Sequence, residues 1–242
     1  MVRSSTSRAR ATKAGSAAAR AAPTRRAALS RELILQAAFA LVSEEGMPAL
    51  STRRLGERLR CEAMSIYHHF ASKQHLLDAM VDHVLSTMDL VSADPDPMQR
   101  VRHCFRAYRS AAHAHPAFFP YAALHRLNTP RGVQFIETVL GVIRAAVPDD
   151  ELAARYFRVA GYYLVGAALD ETAGYAKGPT AAEPVDDAHI RAHCPQLAQA
   201  SRYFHHDQWD ATFELGVEAL IDSMAADAVR LGTKRARPAR KR

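Results

Sequence analysis

The sequence contains few cysteines and no long apolar run, and both absences narrow the class of protein. Three cysteines occur in 242 residues, Cys61, Cys104 and Cys194, and they lie far apart, without the spacing of metal ligands. A reduced cytoplasmic protein is the simplest interpretation. No apolar segment reaches the length of a bilayer span, and no apolar segment of a secretory signal follows the basic N-terminus. We therefore predict no membrane partner.

Motifs for catalysis, cofactors and metals are also missing. We find no phosphate-binding loop, no GxSxG nucleophile turn, no HExxH zinc motif and no plausible pairing of a cysteine with a histidine. Twelve histidines are present, but His68-His69 and His205-His206 are adjacent pairs. Adjacent residues point to different faces of a helix and cannot chelate as an i, i+4 pair does. We predict that the protein is not an enzyme and binds neither a cofactor nor a metal.

Acidic residues are absent from both ends of the chain. Residues 1–28 carry seven Lys and Arg, residues 230–242 carry another seven, and neither segment contains an acid. The chain between them has 18 basic and 25 acidic residues, so the net charge of +7 arises from the ends. We predict disordered basic tails at 1–28 and 232–242. Such tails either attract polyanions without reading sequence or are simply solvated low-complexity ends.

Between the tails, apolar residues recur at helical spacing, and no stretch shows the alternation of a strand. Gly46 and Pro48 end one helix, and the sequence Asp94-Pro95-Asp96-Pro97 interrupts the pattern again. We predict an all-α protein with a small domain at 29–92 and a larger one at 93–231. Residues 177–206 hold a glycine and three prolines, which predicts a long loop with about one helical turn.

The segment from Ser51 to Lys73 has the pattern of two short helices joined by a tight turn. Leu55, Leu59 and Ile66 are spaced to form a small core between the two helices. This is the shape of a helix-turn-helix, whose second helix lies in the DNA major groove. The N-terminus of that helix meets base edges in such motifs, which points to Ala63, Met64 and Ser65. The sequence thus predicts a DNA-binding domain at 29–92.

Residues 30–90 resemble the N-terminal domain of the TetR family of transcriptional regulators. The resemblance is carried by Thr52-Arg53-Arg54-Leu55, Ile66-Tyr67-His68-His69-Phe70 and Ser72-Lys73. Two positions depart from the family pattern, because Arg60 stands where the turn usually has Gly and Glu62 where Ser is common. The resemblance implies DNA contacts by nine residues: Thr52, Arg53, Ala63, Met64, Ser65, Tyr67, His68, His69 and Lys73.

Past residue 95 the chain is similar to the tetracycline-repressor type of C-terminal domain. The similar segments are HPAFF at 115–119, GYYLVGAALDETA at 161–173 and FELGVEALIDSM at 213–224. This resemblance implies a homodimer, joined through the long helix near 149–175 and the last helix near 207–231. The residues agree with it, because Gly161 and Gly166 allow close approach of helices. An apolar face also looks too broad for one subunit to cover: Phe213, Val217, Leu220, Ile221 and Met224.

We therefore expect a homodimeric, ligand-responsive DNA-binding regulator, most simply a repressor, on a palindromic operator. A small-molecule effector would bind among the helices between Asp96 and Tyr175. The candidate contacts, which could equally be ordinary core residues, are Phe105, Tyr108, Arg109, Phe135 and Tyr162. The alternative is a non-sequence-specific nucleic-acid-binding protein that works through its basic tails. Deleting the tails would abolish binding in the alternative, but would only alter affinity and salt dependence in the regulator.

Overall fold

The computed structural model describes residues 29–173 and 180–236, and every regular element in these ranges is helical. The all-α prediction is confirmed. Residues 1–28, 174–179 and 237–242 lie outside the described residues, and with them the predicted N-terminal tail and most of the C-terminal one. The α-helices are α1 Arg31–Glu45, α2 Thr52–Leu59, α3 Ala63–Tyr67, α4 Lys73–Thr87, α5 Pro97–Ala114, α6 Phe119–Leu124, α7 Pro130–Ala146, α8 Asp150–Ala173, α9 Asp187–His193, α10 Pro195–Ala200 and α11 Trp209–Ala236.

Helices α1 to α4 form a small domain, which we call the head, and serine caps set its helix boundaries. The side chains of Ser30, Ser51 and Ser72 each accept a hydrogen bond from the backbone amide three residues ahead. Each bond satisfies an amide that has no partner within its helix. Helix α1 ends at Gly46, whose φ of 81° suits glycine.

The turn between α2 and α3 is unusually tight, and two residues carry it. Arg60 has φ 54° and ψ 44°, and among the described residues it is the one non-glycine with a positive φ. The left-handed conformation disfavours any residue with a Cβ by about 1–2 kcal/mol. Gly56 allows α2 to approach the turn closely, because a Cβ there would lie 2.8 Å from the carbonyl oxygen of Cys61. Close packing of α2 against the turn therefore requires glycine at position 56, whereas the turn itself has Arg60 in the left-handed conformation.

The C-terminal domain is a helical bundle in which α5 contacts α7, α8 and α11. Helix α11 runs antiparallel to α5, and three arginines of α5 bind acids of α11 in order. Arg102 binds Glu218 and Arg106 binds Glu214, each through two hydrogen bonds of 2.7–2.8 Å, while Arg109 reaches Asp210. This ladder fixes the register of the two helices. Helix α11 continues to Ala236, five residues into the segment that the sequence predicted as a tail.

The segment between α8 and α11 differs from the predicted long loop with one helical turn. Its described part, residues 180–208, holds α9, α10 and two short 3₁₀ helices. Asp186 caps α9 by accepting from the amide of His189, and Pro195 occupies the first turn of α10. Most side chains of the segment are exposed, including the apolar Val185, Leu197 and Phe204.

Candidate nucleic-acid interface and ligand cavity

The nine predicted DNA contacts lie at the head surface, and none of them is buried. Ile66 of α3 is fully buried and anchors the helix, while Met64 and Tyr67 are 63% and 41% exposed. The hydroxyl of Thr52 lies 3.4 Å from that of Tyr67, which joins the start of α2 to the end of α3. The structure thus brings the two ends of the predicted interface together, although their contacts with DNA stay a prediction.

Most arginines of α2 are already engaged by acids of the head. Arg58 binds Glu44 of α1 through two hydrogen bonds of 2.6 and 2.7 Å, and Arg54 binds Glu45. The hydrogen bond from Arg58 lowers the pKa of the Glu44 carboxyl. Arg53 lies 3.1 Å from Glu57 on the exposed side of α2, where water screens such a pair strongly. The head therefore presents little uncompensated positive charge to a polyanion.

Arg31, which the sequence did not suggest, holds the end of α3. Its guanidinium lies 4.2 Å above the ring of Phe70 and donates a hydrogen bond to the backbone carbonyl of His69. Helix α3 has five residues, so most of its carbonyls lack helical partners. Arg31 thereby fixes the start of α1 against the end of α3.

Helices α5, α6, α7 and α8 of the C-terminal domain and α4 of the head line an apolar cavity of about 580 Å³ that is partly open to solvent. This volume suits a drug-sized molecule. Four of the five predicted effector contacts line it: Phe105, Tyr108, Phe135 and Tyr162. Burial raises the pKa of the Cys104 thiol and of the Tyr108 hydroxyl, each to about 12, so both groups stay protonated at neutral pH.

Arg109, the fifth predicted contact, does not line the cavity. Its Nε donates to Glu171 at 2.7 Å, its Nη1 donates to Asp210 at 2.8 Å, and its guanidinium lies 4.6 Å from the centre of the Phe213 ring. Consecutive helix residues point about 100° apart. Because Tyr108 faces the cavity, Arg109 turns towards α8 and α11 and ties these two helices to α5.

His125 is a polar cavity residue that the sequence did not reveal. Its Nε2 lies 3.0 Å from a carboxylate oxygen of Asp78 on α4, whereas its Nδ1 is buried without a hydrogen-bond partner among the described residues. Since a carboxylate oxygen accepts, Nε2 is the donor to Asp78, and Nδ1 is the ring nitrogen left for a polar group in the cavity. His125 lies in the turn after α6, where no helical spacing marks its direction.

Helix α4 belongs to the head and also forms one wall of the cavity. Val81, Val84 and Leu85 of this helix and Met88 just past its end line the cavity, while Lys73 begins the helix shortly after α3. Two hydrogen bonds tie α4 to the turn after α6, from His125 to Asp78 and from Thr129 to Asp82 at 2.6 Å. A ligand in the cavity therefore touches the element that carries the recognition helix.

A cluster of rings makes a second contact between the head and the C-terminal domain. The centre of the Phe39 ring in α1 lies 4.4 Å from that of His115, 5.3 Å from that of His83 and 5.4 Å from that of Phe118. Burial, assisted by the neighbouring His83, lowers the pKa of His115. The neutral imidazole is therefore the form that this packing favours.

The apolar face predicted for α11 lies inside the subunit. Phe213, Val217, Ile221 and Met224 are buried, and Leu220 is half-buried. Gly216 allows this packing, since a Cβ there would lie 2.2 Å from the ring of Tyr163 on α8. The exposed side of α11 carries small and apolar residues instead, and that of α8 carries another such set. These residues are Leu215, Ala219, Ala226 and Val229 on α11, with Val159, Tyr162 and Gly166 on α8.

Head, cavity and helix order define a two-domain helix-turn-helix regulator of transcription. Residues 34–80 match the family described as bacterial regulatory proteins, tetR family, and residues 93–228 match the tetracyclin repressor-like C-terminal domain. The chain belongs to the TetR family, as its sequence motifs predicted.

Individual relatives span nearly the same length as this chain. The class A tetracycline repressor from transposon 1721 of Escherichia coli is 29% identical over 204 residues, covering 81% of this chain and 91% of the repressor. A possible TetR family regulator from Streptomyces coelicolor A3(2) superposes with a TM-score of 0.68 at 31% identity, covering 81% of this chain and 99% of that one. ActR from Streptomyces coelicolor in complex with (S)-DNPA gives 0.65 at 25% identity, with coverage of 84% and 100%.

Two further properties concern the described ranges alone. In residues 29–173 and 180–236, no helix is long and apolar enough to cross a membrane. The same ranges contain no group of three or more His, Cys, Asp or Glu side chains that could hold a metal ion.

Proposed function

We propose that this protein is a homodimeric repressor that a small apolar molecule releases from a palindromic operator. One observation carries the proposal: α4 continues the chain directly from the recognition helix α3 and also forms a wall of the 580 Å³ cavity. A ligand that changes the packing of α4 thereby changes the position of α3. The protein would act in the cytoplasm, where its DNA lies.

DNA reading would rest on a small set of side chains. Ala63 and Met64 offer apolar contact, for instance with thymine methyl groups, and Ser65 offers a hydrogen bond. The remaining predicted contacts would hold the phosphates around them: Thr52, Arg53, Tyr67, His68, His69 and Lys73. Two such heads must lie about 34–36 Å apart to enter successive major grooves. The distance between the heads is therefore what a ligand must change.

The exposed stripes of α8 and α11 are the surfaces that we assign to the homodimer. A Cβ added to Gly161 or Gly166 would meet no atom within 4 Å in the subunit, and both glycines border the mouth of the cavity, so the proposed dimer surface on α8 adjoins the ligand site. Leu215 is 73% exposed and Tyr162 67% exposed, which a lone subunit would leave in water. Four helices, two from each copy, would cover both stripes.

The effector would be mainly apolar, with a polar group that forms a hydrogen bond with Nδ1 of His125. Such a bond gives the ligand a direct connection through Asp78 to α4. The ligand can shift the equilibrium only as far as it binds the non-DNA-binding arrangement more tightly than the other. A small-molecule ligand is supported by ActR of Streptomyces coelicolor, which is 25% identical and has been solved in complex with (S)-DNPA.

A protection assay on the intergenic DNA beside the gene tests the DNA-binding half of the proposal. We expect a protected palindrome with the wild type and its loss with Tyr67→Ala. Tyr203→Ala is the matched control, because Tyr203 is also an exposed tyrosine but lies far along the chain, in the segment before α11. Absence of protection, or equal behaviour of the two variants, would contradict the proposal. Equal competition by scrambled DNA would favour non-specific binding through the basic tails.

A thermal-shift screen of hydrophobic metabolites and drugs tests the ligand half. A true effector should raise the melting temperature of the free protein and release the protected DNA at the same concentration. His125→Phe should weaken the binding of a ligand that hydrogen-bonds to Nδ1, while it keeps an aromatic ring in the cavity wall. A ligand that stabilises the protein but leaves the DNA bound would show that the cavity is not regulatory.

A further inference from the structure

The cavity opens to solvent along one face of α8. Nearly all side chains that line it are buried or half-buried, and the three exposed lining residues are Arg158, Tyr162 and Gly166. These residues are spaced four apart, so they follow one another on a single face of the helix. We call them the mouth stripe. A molecule that enters the cavity from solvent passes along this stripe.

Arg158 brings a positive charge to the mouth stripe, and no acid neutralises it. Its Nη2 donates a hydrogen bond of 3.1 Å to the hydroxyl of Tyr162, and its guanidinium lies 5.0 Å from the centre of the Tyr162 ring. None of the four positions one helical turn away holds an acid: Ala154, Arg155, Gly161 and Tyr162. In the described part of the chain, Arg158 forms no ion pair with a carboxylate.

Two other arginines of the C-terminal domain differ from Arg158 in this respect. Arg155, three residues earlier on α8, binds Glu151 through hydrogen bonds of 2.7 and 2.9 Å. Arg109, which the sequence suggested as an effector contact, is held by Glu171 and Asp210 away from the cavity. The cation that the structure does place at the cavity is therefore Arg158.

The wall of the cavity carries no negative charge. None of the residues that line it is Asp or Glu. Burial raises the pKa of the Cys104 thiol and of the Tyr108 hydroxyl to about 12, so neither group ionises at neutral pH. Asp78 binds His125 but is not itself among the lining residues. A ligand in the cavity thus meets one formal charge that no acid of the described chain balances, and this charge is positive.

This charge distribution discriminates between classes of ligand. A charged group that leaves water for an apolar cavity needs an opposite charge to replace its hydration. A cationic ligand would find no carboxylate in the wall and would meet Arg158 at the mouth. An anionic ligand would receive charge-assisted hydrogen bonds from the guanidinium. Because the Tyr162 ring already holds this guanidinium, less conformational entropy is lost when the ligand binds.

We propose that the effector is an apolar anion, whose rings or chain fill the cavity and whose carboxylate, sulfonate or phenolate group pairs with Arg158 at the mouth. The proposal rests on the proposed function, since it takes the cavity as the effector site, and it adds the charge of the ligand. Arg158 is the residue that selects anions over neutral molecules and cations.

Two fluorescent probes with one ring system test this assignment on the full-length protein. Anilinonaphthalene sulfonate is an anion, whereas phenylnaphthylamine has the same rings without the sulfonate and is neutral. Titration of each probe gives its dissociation constant for the wild type, Arg158→Gln and Arg155→Gln. Arg155→Gln is the matched control, because it removes a positive charge from the exposed side of the same helix at a residue that does not line the cavity.

Arg158→Gln should weaken the binding of the sulfonate about fivefold or more and change that of the neutral probe by less than about twofold. Arg155→Gln should leave both affinities unchanged, and Arg158→Lys, which keeps the charge, should retain most of the preference for the sulfonate. Salt screens an ion pair, so added salt should weaken sulfonate binding by the wild type more than by Arg158→Gln. Equal affinities of the wild type and Arg158→Gln for the sulfonate would overturn the proposal.

Two controls show whether the effect arises in the cavity. The neutral probe should displace the sulfonate from the wild type, because both occupy one site, and failure to compete would overturn the proposal. The mouth stripe adjoins the proposed dimer surface, so sedimentation should give the same molecular mass for the wild type and Arg158→Gln. A changed mass together with an equal loss of both probes would assign Arg158 to the contact between subunits and overturn the proposal.

Release of DNA separates this proposal from the proposed function. Apolar carboxylic acids and their methyl esters are compared in pairs, first by thermal shift and then for release of the protected DNA. If the acids bind through Arg158 but none releases the DNA, the regulatory role of the cavity fails and the anion site stands. If esters bind and release the DNA while their acids do not, the regulator stands and the present proposal is overturned.

Discussion

The head and the C-terminal domain differ in how completely they are packed. Leu55, Ile66 and Met80 in the head are fully buried, and close approaches such as that of Gly56 to Cys61 leave no room for a methyl group. The C-terminal domain, although larger, surrounds a cavity of about 580 Å³. A close-packed interior transmits displacements, whereas the side chains around a cavity can repack when a ligand binds. If the proposed function holds, the closely packed head is the part that contacts DNA, and the domain with the cavity is the part that binds the effector.

The largest expected effect compares two leucines on either side of this difference. Leu55→Ala in the head should lower the free energy of unfolding by about 3–5 kcal/mol, because the surrounding core cannot collapse. Leu164→Ala should lower the free energy of unfolding by less. Leu164 borders the cavity, so its side chain makes fewer contacts that the substitution would remove. Urea denaturation of both variants measures the two values. Equal decreases would show that the cavity walls are as tightly constrained as the head.

A smaller effect is expected from a methyl group added to the head. In Gly56→Ala the new Cβ meets the backbone of Cys61 and Ala63, which cannot move without displacing α3. We expect a loss of about 1–3 kcal/mol and weaker DNA binding. Gly141→Ala on α7 is the control, because a Cβ there meets no atom within 4 Å. Gly141→Ala should stabilise the protein by up to about 1 kcal/mol. A similar loss of stability in Gly56→Ala and Gly141→Ala would disprove the close approach of α2 and α3.

The junction between the two domains should respond to pH through His115. Its pKa is lowered in the folded protein, so the native state binds fewer protons than the unfolded state below the ordinary histidine range. Stability should therefore fall as the pH decreases from about 7 to 5, and His115→Phe should flatten this dependence. Hydrogen bonds from Arg106 and Arg102 lower the pKa values of Glu214 and Glu218. The stability that these two acids contribute is therefore lost only at more acidic pH. An unchanged pH profile in His115→Phe would show that His115 is not the source of the pH dependence of stability.

The smallest effect concerns the ion pairs between α5 and α11. Arg106 and Glu214 are 50% and 38% exposed, so we expect a coupling of about 0.5–1 kcal/mol. A double-mutant cycle of Arg106→Met and Glu214→Gln measures it. A coupling near zero would leave the register of the two helices to their apolar contacts.

The local features of the head could be read from the sequence because each depends on near neighbours. The end of α1 at Gly46 and the small core of Leu55, Leu59 and Ile66 between the two short helices are set within one or two turns. The family membership follows from these motifs and is confirmed. The nine DNA contacts stay predictions, and none of the nine side chains is buried.

Directions of side chains in the C-terminal domain could not be read in the same way. Tyr108 and Arg109 are neighbours in the sequence, yet one lines the cavity and the other binds Glu171 and Asp210. The apolar face of α11 suggested a dimer surface, but Gly216 lets α8 cover it from within the subunit. Both outcomes depend on which helix packs where, which no local pattern contains.

The sequence by itself determined the helical class, the helix boundaries of the head and the family, because caps, turns and apolar spacing act over a few residues. Tertiary structure alone decided that α4, which follows α3 in the chain, also lines the cavity, and that Nδ1 of His125 has no partner among the described residues. These properties arise from the relative placement of helices that are distant in the chain, and close packing sets that placement.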